Sequence, residues 1–239
     1  MNIGQKSPPQ SGWPGKTLKN AATYWLGRRN NMKQFTFATY EEYVEAQRIT
    51  TLRRREKKAM CPTKNVNFTQ PEVVAAIRGI QYEARGGDAV RRGVCHGAGH
   101  AEEIDMLEAA LGGKWFGTDI VAEMCDGLRV VQWDFSIDRD DWRGAFDAIF
   151  TNALDHARFP RAAVAVWMGQ LAPGGVLFVT WSGWHNKLSK HPLKRSDCFA
   201  ASREEYRGLL GEFGQVIAEV AVVDANRIEH VIFAVGAKC

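Results

Sequence analysis

After Arg91 the chain alternates short β-branched and aromatic runs with helical stretches, and this alternation limits the possible folds more than any other feature. Parallel strands need long crossovers, and helices are the usual way to build them, so the pattern predicts an α/β sandwich with a largely parallel sheet. Strands are expected near 92–95, 114–118, 129–133, 146–151 and 175–180, with helices near 101–111, 121–126, 158–170 and 203–211. The tail changes pattern. GQVIAEVAVVD and RIEHVIFAVG are two strands separated by a short turn around Ala225 and Asn226, which predicts a terminal antiparallel hairpin.

Upstream of the alternation, residues 1–35 mix Ser, Pro, Gly and basic residues and are expected to be a flexible or partly helical arm. Residues 36–88 are expected to form a helical lid. Thr39-Tyr40-Glu41-Glu42 resembles a capping box that starts one helix, and Pro71 suits the first position of a second that runs to about Ala84. The basic run Arg53–Lys58 fits an exposed helical face. Residues 89–239 then form the main domain, and a length of 239 residues fits one core with an extension.

Several function classes fall away on composition. No apolar run approaches the ~20 residues of a membrane span, and the amino terminus lacks the apolar core of a secretory signal. The five cysteines are scattered without CxxC spacing, which points to a reducing cytoplasm and away from a disulfide scaffold. Cys95, His96 and His100 match no zinc spacing, so no metal is expected. The net charge of +4, from 31 basic and 27 acidic residues, is too small to indicate a nucleic-acid partner.

The chemistry is carried by the ends of the expected strands. RRGVCHGAGHAEEIDMLEAAL reads as strand, glycine turn and helix, and Gly97-Ala98-Gly99 allows close backbone approach to a ligand at the carboxyl edge of the sheet. WFGTDI ends at Asp119, a carboxylate able to accept both ribose hydroxyls of an adenosine, with Ile120 beside it. QWDFS ends at Asp134, able to take an adenine amino group, next to the ring of Phe135. FDAIFTNALDH releases Asn152, Asp155 and His156 into the same cleft, and LAPGGVLFVTW supplies a fifth strand.

This ordered set resembles the class I (Rossmann-like) S-adenosylmethionine-dependent methyltransferase family over roughly residues 90–236. The resemblance implies a Rossmann-like three-layer sandwich with a seven-stranded, mostly parallel sheet and an antiparallel C-terminal hairpin strand. It also implies S-adenosyl-L-methionine as cofactor, held around Gly97, Ala98, Gly99, Asp119, Ile120, Asp134, Phe135 and Asn152.

The chain departs from the family at Cys95, where an acid is usual, at Ala101, where a third glycine is usual, and at His100. Tyr40, Tyr43 and Gln47 on the preceding helix are the expected source of the missing polar contacts. A nicotinamide dinucleotide is the competing ligand, but Glu102 and Glu103 in the first helical turn would repel a pyrophosphate.

His156, with Asp155, is the expected general base, and Asp155 could instead cap the helix that follows. Trp181, Trp184 and His185 follow the fifth strand, where the family binds its acceptor, and a basic polar loop comes next. TNALDH is not the Asn/Asp-Pro-Pro-aromatic signature of base amino methylation, which favours a small-molecule or glycan acceptor over nucleic acid. Two alternatives stay open: a nucleic-acid or protein methyltransferase that uses the basic amino-terminal region, and a non-catalytic methyltransferase-like module.

Overall fold

A computed structural model describes residues 32–60, 69–99, 101–125, 127, 129–186 and 197–238. The arm before Met32, His100 and the basic loop after Asn186 lie outside the described residues.

In chain order the elements are β1 (Lys33–Gln34), α1 (Tyr40–Met60), α2 (Pro71–Arg85), β2 (Arg92–His96), α3 (Ala101–Leu111), β3 (Lys114–Asp119), β4 (Val130–Gln132), β5 (Phe146–Thr151), α4 (Pro160–Gln170), β6 (Leu171–Ser182), β7 (Phe199–Ala200), α5 (Arg203–Phe213), β8 (Gln215–Val223) and β9 (Glu229–Gly236). Seven strands form one sheet in the order β4-β3-β2-β5-β6-β9-β8. β2 to β6 pair in parallel, and β9 runs antiparallel between β6 and β8. The chain order reverses between β2 and β5, and open α/β sheets place their ligands at the carboxyl ends of strands beside such a switch.

The helices begin where local chemistry satisfies their first N–H groups. Thr39 Oγ1 accepts the Glu42 N–H at 3.1 Å, while the Glu42 carboxylate accepts the Ala38 N–H at 3.0 Å, so the expected cap forms. α2 starts on Pro71 and stops at Gly86, whose φ of 61° is the left-handed conformation that glycine adopts freely. α5 carries a full capping box between Ser202 and Glu205. The expected helix at 121–126 is only a 3₁₀ turn over Ala122–Met124, because Cys125 is already extended.

Alternate residues of the central strands feed two cores. Ile149, Leu177, Val179, Val231 and Phe233 pack with Trp167 and Tyr206 under α4 and α5. Their neighbours Ala148, Phe150, Val176, Phe178 and Ile232 pack with Ile77, Ile104 and Leu107 under α2 and α3. A strand buried on both faces is mostly apolar, and β5 is buried at every position, with its one acid, Asp147, bonded to the Arg91 and Arg92 N–H groups. α1 lies outside both cores, and its Tyr43 packs with Phe37 and Cys198 in a third, smaller cluster. β1 and β7, two residues each, join the segment before α1 to the segment before α5.

Among the described residues no helix is long and apolar enough to cross a membrane.

Candidate functional site

A cleft opens at the carboxyl ends of β2, β3 and β5, and it encloses about 850 Å³ with its open mouth included. The turn after β2 lines it with Gly97, Ala98 and Gly99. Gly97 has φ +73°, and a Cβ there would stand 2.5 Å from the Ala153 Cβ. Glycine is therefore required twice, by conformation and by space. Above Gly99, with φ +54°, the nearest atom to an added Cβ among the described residues beyond its chain neighbours is an Asp119 carboxylate oxygen, at 3.9 Å. That leaves room for a ligand to lie on the backbone.

Asp119, at the end of β3, is buried to 7% exposure and still lines the cleft. Its Oδ1 accepts the Val121 N–H at 2.8 Å and its Oδ2 the Gly99 N–H at 3.1 Å, which ties the acid to the glycine turn. Burial pushes its carboxyl above the usual range, against those two N–H groups, which favour the anion. The Gly97 and Ala98 N–H groups both donate to Thr118 O at 2.9 Å. The amides of Gly97, Ala98 and Gly99 are thus all engaged by the protein, so these three offer no free N–H to a pyrophosphate.

Phe135, Ile120 and Asn152 also line the cleft. Asp134 does not. Its Oδ1 accepts the Ser136 N–H at 2.8 Å, and its Oδ2 accepts the Tyr40 hydroxyl at 3.0 Å. Tyr40, expected to touch the ligand, instead bonds the other expected contact, and burial again pushes the Asp134 carboxyl up.

α1 covers one side. Tyr43 and Gln47 line the cleft as expected, and Thr51 and Arg54 extend the same helical face. α2 contributes no lining residue and packs against α3 in the second core.

α1 also grips His156, which lines the cleft below it. The Tyr43 hydroxyl donates to His156 O at 3.2 Å, Gln47 Oε1 stands 3.1 Å from Nδ1, and Arg54 Nη1 stands 3.4 Å from Nε2. A guanidinium only donates, so Nε2 is the accepting nitrogen and Nδ1 carries the proton. The carboxylates of Asp155 and Asp197 each come within 4.0 Å of the ring. Asp155 does not cap α4: the residue before that helix is Phe159, which makes no side-chain cap.

None of the three residues expected to hold the acceptor lines the cleft. Trp181 donates its indole N–H to Ala201 O at 3.0 Å, and Trp184 is 62% exposed. His185 is buried, with Nδ1 accepting the Ser182 N–H at 2.8 Å and Nε2 reaching Asn152 O at 3.4 Å. It braces the turn after β5.

Cys95 and His96 are buried in the sheet. His96 bonds Thr118 Oγ1 at 3.0 Å and Gln170 Oε1 at 2.9 Å, stacks on Trp167, and burial pushes its pKa down to about 4. Burial holds the Cys95 thiol well above its usual range, so it is a neutral donor.

Glu103 stands in the first turn of α3 as expected, but it is buried in the cleft wall at 5% exposure and held there by neighbouring side chains. Thr69 Oγ1 donates to Oε1 at 2.6 Å and Asn152 Nδ2 to the same oxygen at 2.9 Å, while the Cys95 thiol stands 3.6 Å from Oε2. Burial outweighs these donors and pushes its pKa up to about 7. A signal existed in the sequence: Glu103 lies on the buried stripe with Leu107 and Leu111, at i, i+4 and i+8.

No family model matches the chain, and no curated protein sequence matches it. Solved structures do. A Burkholderia thailandensis 1,6-didemethyltoxoflavin-N1-methyltransferase, with bound 1,6-didemethyltoxoflavin and S-adenosylhomocysteine, is 16% identical with TM-score 0.60, covering 90% of this chain and 99% of that one. The [4+2]-cyclase SpnF is 12% identical with TM-score 0.62, covering 88% and 100%. The sugar N-methyltransferase KedS8 from Streptoalloteichus sp. is 16% identical with TM-score 0.52, covering 76% and 93%. The order of the seven strands, the antiparallel β9 and these structures agree: the chain has the class I, Rossmann-like methyltransferase fold.

Proposed function

We propose that this chain is a cytoplasmic S-adenosyl-L-methionine-dependent methyltransferase that acts on a hydroxyl or amine of a small molecule or glycan. The observation that carries this reading is the joining of Asp119 to the glycine turn at the switch between β2 and β5. A carboxylate placed for a ribose and an open glycine backbone meet there, and the Gly97, Ala98 and Gly99 amides are already bonded within the protein. Each Asp119 oxygen keeps a lone pair for a ribose hydroxyl, and the space above Gly99 suits the rest of the ligand. The cofactor supplies an electrophilic methyl group. Residues 36–60, through α1, serve as a lid on one side of the cleft.

His156 is the general base in this reading. Its Nε2 takes the proton of the acceptor once the half-exposed Arg54 side chain moves aside, and Asp155 and Asp197 balance the charge. The acceptor class rests on the absent base-methylation signature and on the small molecule and sugar named for two structural neighbours.

The test is titration calorimetry of the full chain with S-adenosylhomocysteine. The parent should bind, and Asp119→Ala should weaken binding about 10-fold or more, the value of one or two hydrogen bonds to a charged group. No binding by the parent overturns the cofactor reading. The SpnF neighbour, named as a cyclase, gives a second reading: a chain of this fold that binds the ligand and transfers no methyl group. Loss of labelled methyl from the cofactor across a panel of small hydroxyl and amine acceptors distinguishes the two.

A further inference from the structure

Glu103 is a buried carboxyl in a ligand cleft, and among the described residues no Lys, Arg or His forms an ion pair with it. Such a group is costly to charge unless a partner compensates it, and a buried, perturbed acid in a cleft marks a candidate binding position. Its two oxygens are unequally served. Oε1 takes two strong donors, Thr69 and Asn152, whereas Oε2 faces only the weak thiol of Cys95. Asn152 also donates to Thr69, so the three side chains hold the carboxyl in one orientation from one side. The under-served oxygen belongs to a residue of the cleft wall that begins at Gly97 and Gly99.

We propose that Glu103 receives the α-ammonium group of the ligand's amino-acid moiety, supplying from α3 the negative charge that Cys95 does not provide from the end of β2. The proposal rests on the cofactor reading above and goes further, by naming the residue that recognises the cationic end. Asn152 then acts as a positioning residue, through Glu103. An arriving ammonium favours the charged carboxylate, so a Glu103 that holds a proton near neutrality releases it when the ligand binds.

The test is calorimetry of the full chain with two ligands. S-adenosylhomocysteine carries the ammonium; 5′-methylthioadenosine keeps the adenosine and thioether and lacks the amino-acid end. Glu103→Gln preserves the shape of the side chain. It should weaken S-adenosylhomocysteine binding by about 10- to 100-fold, the worth of a charge-assisted hydrogen bond, and leave 5′-methylthioadenosine within about two-fold. Equal losses for both ligands, or no loss for either, overturn the proposal while the cofactor reading stands. Binding of neither ligand by the parent overturns both.

A second measurement needs no variant. At about pH 6.5, titrations of the parent in buffers of different ionisation enthalpy should show net release of more than about half a proton with S-adenosylhomocysteine and none with 5′-methylthioadenosine. Equal proton counts for the two ligands overturn the proposal.

Discussion

Replacing Glu103 by Gln should change how the stability of the ligand-free protein depends on pH, by an amount that follows from the burial of this one group. Its carboxyl has an ordinary pKa of 4.5 and is raised to about 7 in the fold, chiefly by burial. Between those values the folded state holds a proton that the unfolded chain has lost. The stability this proton contributes is therefore fully present below about pH 4.5 and is lost as pH rises through about 7. At about 1.4 kcal/mol per pKa unit, the full loss is about 3 kcal/mol. Glutamine keeps an oxygen for Thr69 and Asn152 and does not titrate.

His96 works in the opposite direction. Burial lowers it from 6.5 to about 4, so its contribution is present above about pH 6.5 and lost as pH falls through about 4. In the parent the two slopes oppose each other over about pH 4.5–6.5; in Glu103→Gln only the histidine slope remains. Urea unfolding of both proteins across about pH 5–8 measures the difference directly. The stability of Glu103→Gln minus that of the parent should rise by about 2–3 kcal/mol over that range. A difference constant within about 0.5 kcal/mol would refute the burial argument for this carboxyl.

Two further predictions concern the scaffold. Gly97→Ala meets both a left-handed backbone and a Cβ placed 2.5 Å from Ala153, whereas Gly99→Ala meets the backbone term alone; the expected losses are about 2–5 and about 1–2 kcal/mol in urea unfolding, and equal losses would contradict the packing argument. Burial alone would raise the Asp147 carboxyl, but the N–H groups of Arg91 and Arg92, with the Arg91 and Arg85 side chains, outweigh it and hold it below the usual range. Asp147→Asn leaves the largely buried Arg85 uncompensated and should cost about 2–4 kcal/mol near neutral pH, a loss that shrinks as pH falls below about 4; a pH-independent loss would contradict the ionic assignment.

The sheet was legible because its signals are local. Strands buried on both faces read as apolar runs, and the β8–β9 hairpin followed from two such runs separated by a tight turn. The positions of the glycine turn and Asp119 followed from the same periodicity. Contacts made across the chain were not legible. Tyr40 meets Asp134 only because α1 folds back over the sheet edge, so two residues assigned separately to the ligand satisfy each other. β6 runs to Ser182, beyond the expected end near 180, so Trp181 belongs to the strand and of the two only His185 follows it; their polar atoms turn inward to Ala201 O and the Ser182 N–H, which spacing cannot reveal. The two-residue pairing of β1 with β7 has no local signature at all. The place of Glu103 in the first turn of α3 was legible, whereas its bonds to Thr69 and Asn152, 34 and 49 residues away in the chain, were not.

The most direct test of the central claim is a crystal structure of the full chain grown with S-adenosylhomocysteine. The account predicts the ligand across Gly97–Gly99, with its ribose hydroxyls within hydrogen-bond distance of the Asp119 carboxylate. A ligand bound away from Asp119 and the glycine turn would contradict it.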